Sequence, residues 1–293
     1  MEQKSLLILL VGLFVFATVI TVDAFWIEPD WIEVTHHQVF APLAAPLKIA
    51  HLTDIHTRGL GRRERRMLAL LESEQPDLIA ITGDTVSDGG FDDIFSKIPR
   101  HLKRVRPKIP PGKRFPREND GKYEMCREVL KRLHAPLGVW LVRGNWEHWS
   151  SVSNERGFYE SVGGNFLLNA GRPVRDDTWI LGFDDAVVGS PSLEAALVGV
   201  PAGAFKIALF HSPAYFERVA ARCNLALAGH THGGQVRVPF LRPFWLPPGC
   251  GRFLEGWYEQ EGSRMYVSRG IGTSSLNVRF FCRPELAIIT VGR

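Results

Sequence analysis

Five short apolar segments recur along this chain, and each ends at a residue that is able to bind a metal ion. The segments are residues 47–53, 78–82, 139–143, 207–210 and 225–228. The side chains that follow them are Asp54 with His56, Asp84, Asn145, His211, and His230 with His232. Runs this short and this apolar are typical of strands that are buried on both faces of a sheet.

Helical segments separate several of these predicted strands. Residues 62–74 and 123–134 place apolar side chains on one face, and residues 213–222 begin with a proline that suits a first helical turn. Further strands are expected at 178–181, 265–268 and 286–291. The alternation of strands and helices predicts an α/β layered fold.

The N-terminal segment is a separate element. Residues 5–22 are uncharged and dominated by Leu, Val, Ile and Phe. As a helix rising about 1.5 Å per residue, this run approaches the roughly 30 Å hydrocarbon core of a bilayer. We therefore expect residues 1–24 to form a single-pass membrane anchor, with Trp26 and Trp31 at headgroup level. A signal peptide and a buried soluble helix are the alternatives.

The charges that flank this segment bear on its orientation. Lys4 precedes it, whereas Asp23, Glu28, Asp30 and Glu33 follow it. The positive-inside tendency therefore favours placing the rest of the chain outside the cytoplasm.

The remaining chain divides by composition. Residues 25–45 are expected to be a linker or an edge strand, and residues 46–293 the globular domain, with a basic Pro-rich insertion at about 91–122. Residues 97–117 of the insertion contain nine Lys or Arg and no acidic residue, so the rest of the chain is net acidic although the whole carries +4. This insertion is either a solvated loop or a patch for anionic headgroups or a phosphorylated substrate. Because the basic charge is local, no nucleic-acid partner is expected.

Four cysteines are scattered without a Cys-x-x-Cys pair, so the sequence predicts neither a zinc knuckle nor a redox motif. Buried thiols and up to two disulfides both remain open for Cys126, Cys223, Cys250 and Cys282.

The residues at the five strand ends predict a metal site. Ligands of open α/β sheets bind beyond the carboxyl ends of the strands. Carboxylate and amide oxygens mixed with imidazoles suit Mn²⁺, Fe²⁺ or Zn²⁺. Each motif alone is ordinary, but together they offer more ligands than one ion needs. Two ions about 3.5–4 Å apart that share a carboxylate would use all of them.

The ordered motifs resemble the calcineurin-like metallophosphoesterases. The family pattern is Asp-x-His, Gly-Asp, Gly-Asn-His-Asp/Glu, a single His and Gly-His-x-His, and residues 54–56, 83–84, 144–145, 211 and 229–232 match it in order. Residues 229–235, 268–273 and 279–285 further resemble its bacterial membrane-anchored branch, described as transmembrane proteins with a metallophosphoesterase domain. The resemblance covers about residues 46–293.

This resemblance implies a four-layer αββα sandwich of two packed sheets, preceded here by the membrane helix. It implies two divalent ions, Mn²⁺ first, with Fe, Zn or Mg as alternatives. It assigns Asp54, His56 and His232 to one metal. It assigns Asn145, His211 and His230 to the other, and Asp84 to a position between them.

The chain departs from the family pattern after Asn145. The family has a catalytic His there, whereas this chain has Trp146, followed by Glu147 and His148. An indole N–H donates a hydrogen bond but does not transfer a proton at neutral pH. Either His148 replaces the usual acid, or the metals act alone, or the domain has lost activity.

The expected function is hydrolysis of a phosphodiester or pyrophosphate bond by two metal ions. A membrane anchor favours a lipid-linked substrate such as UDP-2,3-diacylglucosamine, which related enzymes hydrolyse. That substrate requires the cytoplasmic side, in conflict with the charge bias. Soluble nucleotides or general phosphodiesters are the alternative substrates, and a non-catalytic metal-binding protein is the second alternative. Arg58, Arg143 and Arg269 either bind a substrate phosphate or are ordinary surface residues.

Overall fold

The structure is a computed structural model that describes residues 2–87, 120–150, 152 and 154–293. The basic segment at 97–117 lies outside these residues, so the prediction of an insertion at about 91–122 stays a prediction.

Two sheets of six strands each form the centre of the described part of the chain. The strands are β1 (Glu33–Val39), β2 (Leu47–Leu52), β3 (Leu78–Thr82), β4 (Val139–Val142), β5 (Gly164–Phe166), β6 (Ala170–Arg175), β7 (Thr178–Gly182), β8 (Phe205–Leu209), β9 (Leu225–Ala228), β10 (Gly256–Gln260), β11 (Ser263–Val267) and β12 (Glu285–Val291). The first sheet has the order β1-β12-β2-β3-β4-β5, and the second has the order β10-β11-β9-β8-β7-β6. β1 therefore lies at the edge of the first sheet, where it pairs in parallel with β12.

The strands that precede the candidate metal ligands are parallel to one another within each sheet. β2, β3 and β4 pair in parallel in the first sheet, and β7, β8 and β9 do so in the second. Parallel strands end at the same edge of their sheet, so the loops after them meet. This edge carries the site described below.

The helices of the described residues are α1 (Glu2–Val22), α2 (Arg62–Glu74), α3 (Asp120–Leu130), α4 (Asn145–Trp149), α5 (Glu155–Ser161), α6 (Leu193–Ala196) and α7 (Phe216–Val219). The helix predicted at 62–74 is confirmed. The helix predicted at 123–134 begins three residues earlier and ends at Leu130.

The helical segment predicted at 213–222 is present but irregular. The segment consists of a 3₁₀ turn at Pro213–Tyr215, the short helix α7, and a second 3₁₀ turn at Ala220–Arg222. Val219 and Ala220 are buried against the second sheet. Packing therefore sets the path of the chain here, in place of regular helical hydrogen bonding.

Successive side chains of a strand point to opposite faces of its sheet, and this alternation builds the layers of the fold. In β2, Leu47 and Ile49 pack between the two sheets, whereas Ala50 and Leu52 pack on the opposite face. Helices α2, α3 and α5 cover that outer face of the first sheet. The short helices α6 and α7 cover the outer face of the second sheet. The predicted α/β architecture of two packed sheets is confirmed.

Three strands were not predicted from the sequence. β5, β6 and β10 are short or largely half-exposed, so their side chains lack the continuous apolar run that marked the central strands. The four cysteines are buried free thiols, so the disulfide alternative is wrong.

Helix α1 belongs to the apolar span Gln3–Asp30, whose most apolar 18-residue window has a mean hydropathy of 2.8. No residue of its most apolar window is buried against the domain, which argues against the core helix of a soluble protein. The helix is long and apolar enough to cross a membrane.

Candidate metal centre

The seven side chains predicted as metal ligands meet in one buried crevice between the edges of the two sheets. The first sheet supplies Asp54, His56, Asp84 and Asn145, and the second supplies His211, His230 and His232. Each is at most 6% exposed. Buried carboxylates and imidazoles at this density require compensation by a partner or an ion.

The backbone at these strand ends is unusual. Five of the residues have φ between +43° and +71°, namely Asp54, His56, Asp84, His230 and His232. A left-handed conformation of a residue other than glycine costs about 1–3 kcal/mol and persists only where the surroundings fix it. Such strain concentrates at functional sites. Here the left-handed residues turn the chain after β2, β3 and β9.

Small residues allow the loops to approach closely. A side chain at Gly144 would collide with the Asp84 carboxylate and the His211 ring. One at Gly229 would collide with Thr53 and Asp54. Glycine at these two positions therefore lets the strand ends of both sheets converge.

The donors fall into two groups. Asp54, His56 and His232 form one, and Asp84, His211 and His230 form the other. Within each group the ligand atoms lie within 4.8 Å of one another. Two donors that sit about 2.0–2.2 Å from one ion lie no more than about twice that distance apart, so each group approaches the spacing for one cation.

Asp84 lies between the two groups. Its Oδ2 is 3.2 Å from His211 Nε2 in its own group and 3.6 Å from His56 Nε2 in the other. In the same way, Asp54 Oδ1 is 3.3 Å from His232 Nε2 and 3.9 Å from His211 Nε2. The two groups are therefore contiguous.

Hydrogen bonds leave one oxygen of each carboxylate facing the crevice. Asp54 Oδ2 accepts bonds from Thr53 Oγ1 (2.9 Å) and from the backbone N–H of His230 (2.8 Å). Asp84 Oδ1 accepts a bond from the backbone N–H of Trp146 (2.9 Å). Asp54 Oδ1 and Asp84 Oδ2 therefore point toward the imidazoles.

Backbone carbonyls orient three of the four imidazoles. His56 Nδ1 is 3.0 Å from Val86 O, His211 Nδ1 is 2.8 Å from Thr82 O, and His230 Nε2 is 2.7 Å from Pro248 O. Since a carbonyl only accepts, the ring nitrogen beside it carries the proton. The other nitrogen keeps its lone pair for a ligand, which is the arrangement of metal-binding histidines.

Several buried polar atoms of the crevice have no hydrogen-bond partner among the described residues. They are Asp54 Oδ1, His56 Nε2, Asn145 Oδ1 and His232 Nδ1. A buried polar atom without a partner costs free energy, and most such atoms in proteins are satisfied. Three of these atoms, on Asp54, His56 and Asn145, suit coordination of a divalent ion. The donor set therefore fits the metal ions that the sequence predicts.

Burial favours the neutral form of three imidazoles and lowers the pKa of His56 well below its usual value. At His211, burial would lower the pKa, but Asp84 outweighs it and raises the pKa well above its usual value. Burial lowers the pKa of His230 and of His232 to about 4, so both are neutral at pH 7, the form that binds metal. Burial would raise the pKa of Asp54, but His232 and His211 outweigh it and hold that pKa below its usual range. Burial raises the pKa of Asp84 to about 7 despite the opposing effect of His211.

Glu147 is not one of the seven predicted metal ligands, but it holds two of the ligand-bearing loops together. Its buried carboxylate accepts backbone N–H bonds from Asp84 (2.9 Å), Thr85 (2.7 Å) and Gly144 (2.8 Å). It thereby clamps the loop after β3 to the start of α4. The acidic residue that ends the Gly-Asn-His-Asp/Glu pattern was the sequence signal for it.

His148 is paired with an acidic residue that sequence reasoning missed. Its Nε2 is 2.8 Å from Asp184 Oδ1, and the same carboxylate accepts bonds from Arg143 Nε (2.8 Å) and Nη2 (3.2 Å). Burial would raise the pKa of Asp184, but the bonds from His148 and Arg143 hold it well below its usual range. Asp184 follows β7, at the same edge as His211, although no motif marks it.

The three arginines have protein partners. Arg143 binds Asp184 and also Glu155 at 3.1 Å. Arg269 binds the carboxylates of Glu33, Glu285 and Glu255, at 2.8, 3.4 and 3.7 Å. Arg58 donates to Ser87 Oγ at 3.0 Å. The guanidinium groups of Arg143 and Arg269 thus form ion pairs within the protein. Phosphate binding by any of the three arginines stays a prediction.

Comparison with known proteins agrees with this geometry. The profile of the calcineurin-like phosphoesterase family matches residues 47–234. The metallophosphoesterase YkuE of Bacillus subtilis (strain 168) is 28% identical over 280 residues, which are 91% of this chain and 87% of that protein. The phosphodiesterase YaeI of Escherichia coli (strain K12) is 27% identical over 297 residues, 93% and 94% of the two chains.

A third relative is the transmembrane protein with metallophosphoesterase domain of Bos taurus. It is 28% identical over 278 residues, which cover 87% of this chain and 55% of that protein. The family profile spans well over half of the chain, so this protein belongs to the calcineurin-like phosphoesterases. It is a metal-dependent phosphoester hydrolase.

Replacement of Glu147 by Gln tests the clamp on the Asp84 loop. The amide would turn one N–H toward the backbone donors that the carboxylate now accepts. We expect Mn²⁺ affinity, measured by titration calorimetry, to fall about 10–100-fold, as for other groups that orient metal ligands. Exposed Glu160→Gln is the control. Unchanged affinity in Glu147→Gln would contradict the assignment.

Proposed function

We propose that this protein hydrolyses a phosphodiester or pyrophosphate bond by means of two adjacent metal ions, in a lipid-linked substrate. The observation that carries the two-ion part of the proposal is the position of Asp84 Oδ2, which lies within 3.6 Å of a ring nitrogen in each donor group. A carboxylate so placed is suited to bridge two ions. Asp54, His56 and His232 would hold one ion, and Asn145, His211 and His230 the other.

The chain's own residues supply positioning. When bound, two divalent cations act as Lewis acids toward water and the phosphoryl oxygens. The carbonyls of Val86, Thr82 and Pro248 fix the imidazole rings, so no ligand must reorient during the reaction. Asn145 is held at the first turn of α4, and its side-chain oxygen, buried without a hydrogen-bond partner among the described residues, would be available to an ion.

We infer that His148 protonates the leaving group in place of the family's usual histidine. Trp146 occupies the usual position and contacts the His56 ring edge-on, with ring centroids 5.7 Å apart. His148 retains an imidazole that the Asp184 carboxylate orients through one nitrogen, which leaves the other for a proton transfer. Its side chain is 19% exposed, so it remains accessible from solvent.

A lipid-linked substrate is the proposal that the apolar helix favours. A helix that crosses the membrane would hold the crevice near lipid, and UDP-2,3-diacylglucosamine is one substrate with the required pyrophosphate bond. That substrate requires the catalytic domain to face the cytoplasm. The Escherichia coli relative is named a phosphodiesterase, which supports phosphodiesters more generally. Soluble phosphodiesters are therefore the alternative substrates.

Replacement of Asp84 by Asn tests the dinuclear proposal. The purified chain, supplied in turn with Mn²⁺, Zn²⁺ and Mg²⁺, is assayed on a panel of phosphomonoesters, phosphodiesters and a UDP-linked lipid. We expect the wild-type protein to be active with Mn²⁺. The Asp84→Asn variant should bind fewer than two ions, and its activity should fall by more than the roughly 10–100-fold loss caused by replacing a residue that only supports a metal ligand.

Exposed Asp176→Asn is the matched control for this test, and its activity and metal content should equal those of the wild type. An Asp84→Asn variant that keeps two tightly bound ions and full activity would exclude the proposed bridge.

Replacement of His148 by Ala tests the proton donor. A poor leaving group depends on protonation, so turnover of an alkyl phosphodiester should fall about 10²–10⁴-fold. Turnover of a nitrophenyl phosphodiester, whose leaving group needs no proton, should change little. Exposed His134→Ala should affect neither. A uniform loss across both substrates would indicate that His148 serves only the structure.

A further inference from the structure

An exposed apolar loop lies directly after the metal-binding motif. We call residues 236–248 the rim loop. Its exposed apolar side chains are Val236, Val238, Phe240, Leu241, Phe244 and Trp245. Phe240 is completely exposed, and its φ of +69° holds it in a left-handed conformation. The charged residues of the loop are Arg237 and Arg242, and its sequence contains no acidic residue.

Both ends of the rim loop are fixed to the metal centre. At its start, Arg237 Nε donates to the carbonyl of Gly233, the residue directly after the Gly-His-x-His motif, and Pro243 packs on Gly234. At its end, Pro248 O accepts the bond from His230 Nε2 at 2.7 Å. The rim loop, which carries the exposed aromatic residues, therefore begins and ends beside the metal centre.

The end of the apolar N-terminal helix docks beside the same loop. The backbone N–H of Arg279 donates to Ala24 O at 2.9 Å, and that of Phe281 donates to the buried Glu28 carboxylate at 2.9 Å. Between them, the carbonyl of Phe280 accepts a bond from the backbone N–H of Arg237 in the rim loop (2.8 Å), and its N–H donates to the carbonyl of Gln235, just before the loop (3.1 Å). One extended segment thus separates the helix end from the loop, and neighbouring extended segments lie about 5 Å apart.

Exposed aromatic residues surround this junction on both sides. Trp26 and Trp31 follow the helix, and Phe281 lies 60% exposed on the intervening segment. Aromatic side chains next to an apolar helix are typical of the headgroup level of a bilayer. Arg242, exposed within the loop, suits an anionic headgroup. A contiguous apolar patch at a soluble surface would be unfavourable, and a bilayer beside the helix is the partner that covers it.

We propose that the rim loop inserts into the surface of the bilayer that anchors α1, and that it holds the mouth of the metal crevice against the membrane. A phosphoester on an embedded lipid would then enter the crevice laterally. This inference rests on the proposed phosphoester hydrolysis and on α1 being retained as an anchor. It adds the surface through which the substrate arrives.

The chain offers a matched control at the opposite edge of the domain. Phe40 is 81% exposed and follows β1, which runs parallel to β12. Because β12 is antiparallel to β2, Phe40 lies near the beginning of β2, away from Asp54 and His56 at its end. It has the same chemistry as Phe240 but cannot share its membrane contact.

The full chain with Mn²⁺ is reconstituted in vesicles of phosphatidylcholine containing phosphatidylglycerol. Hydrolysis is measured on a vesicle-embedded phosphodiester lipid and on water-soluble bis(p-nitrophenyl) phosphate. In the Phe240→Ser, Phe244→Ser double variant, the ratio of vesicle to soluble rate should fall at least about tenfold, since two large apolar groups lose their burial in lipid. Phe40→Ser should keep the wild-type ratio. An unchanged ratio in the double variant would overturn the inference.

A second measurement does not depend on activity. Brominated phospholipids quench indole emission only on contact with the acyl region, and the wild-type minus Trp245→Phe difference reports Trp245 alone. We expect this difference to be quenched. Wild-type protein that hydrolyses neither substrate while Trp245 is quenched would reject the proposed function and leave the membrane contact standing. An unquenched Trp245, or a patch found buried in a dimer that the double variant dissociates, would overturn the contact itself.

Discussion

The carboxylate of Asp84 is held in a buried crevice where two sets of imidazoles meet, and the rest of the site is arranged around that position. One oxygen is fixed by the backbone N–H of Trp146, and the loop itself is clamped by Glu147. The other oxygen faces His211 and His56. Burial of an acidic group among so few compensating donors is unfavourable, as the raised pKa of Asp84 indicates. Divalent cations would remove that cost.

The C-terminal segment supports the loop that carries Asp54. Ile271 and Gly272 donate backbone hydrogen bonds to the carbonyls of Thr53 and Asp54, at 3.0 and 2.6 Å. The fully buried guanidinium of Arg279 donates in turn to the carbonyls of this segment, including those of Gly270 and Gly272. The same residue's backbone holds the end of the apolar helix. A continuous set of hydrogen bonds therefore links the helix to the loop that carries Asp54.

The central strands and the positions of the candidate ligands were predictable from the sequence because both depend on local patterns, and metal binding by these residues stays a prediction. A buried parallel strand is an uninterrupted apolar run, and β3 and β9 were predicted to the residue. The ligands follow such runs directly, so topology alone brings them to one edge. Strand β5 escaped prediction because it is only three residues long, and β6 and β10 did so because their side chains are largely half-exposed or exposed. The pairing of Asp184 with His148 and the hydrogen bonds from the Asp84 loop to Glu147 join segments that are distant in the sequence, so no local pattern predicts them.

The most direct test is electron paramagnetic resonance of the chain loaded with Mn²⁺, together with its metal content. Two ions about 3.5–4 Å apart that share the Asp84 carboxylate would be magnetically coupled. We expect two Mn²⁺ per chain and a coupled spectrum, replaced in Asp84→Asn by the six-line spectrum of isolated ions. A single bound ion, or two uncoupled ions in the wild-type protein, would contradict a dinuclear centre.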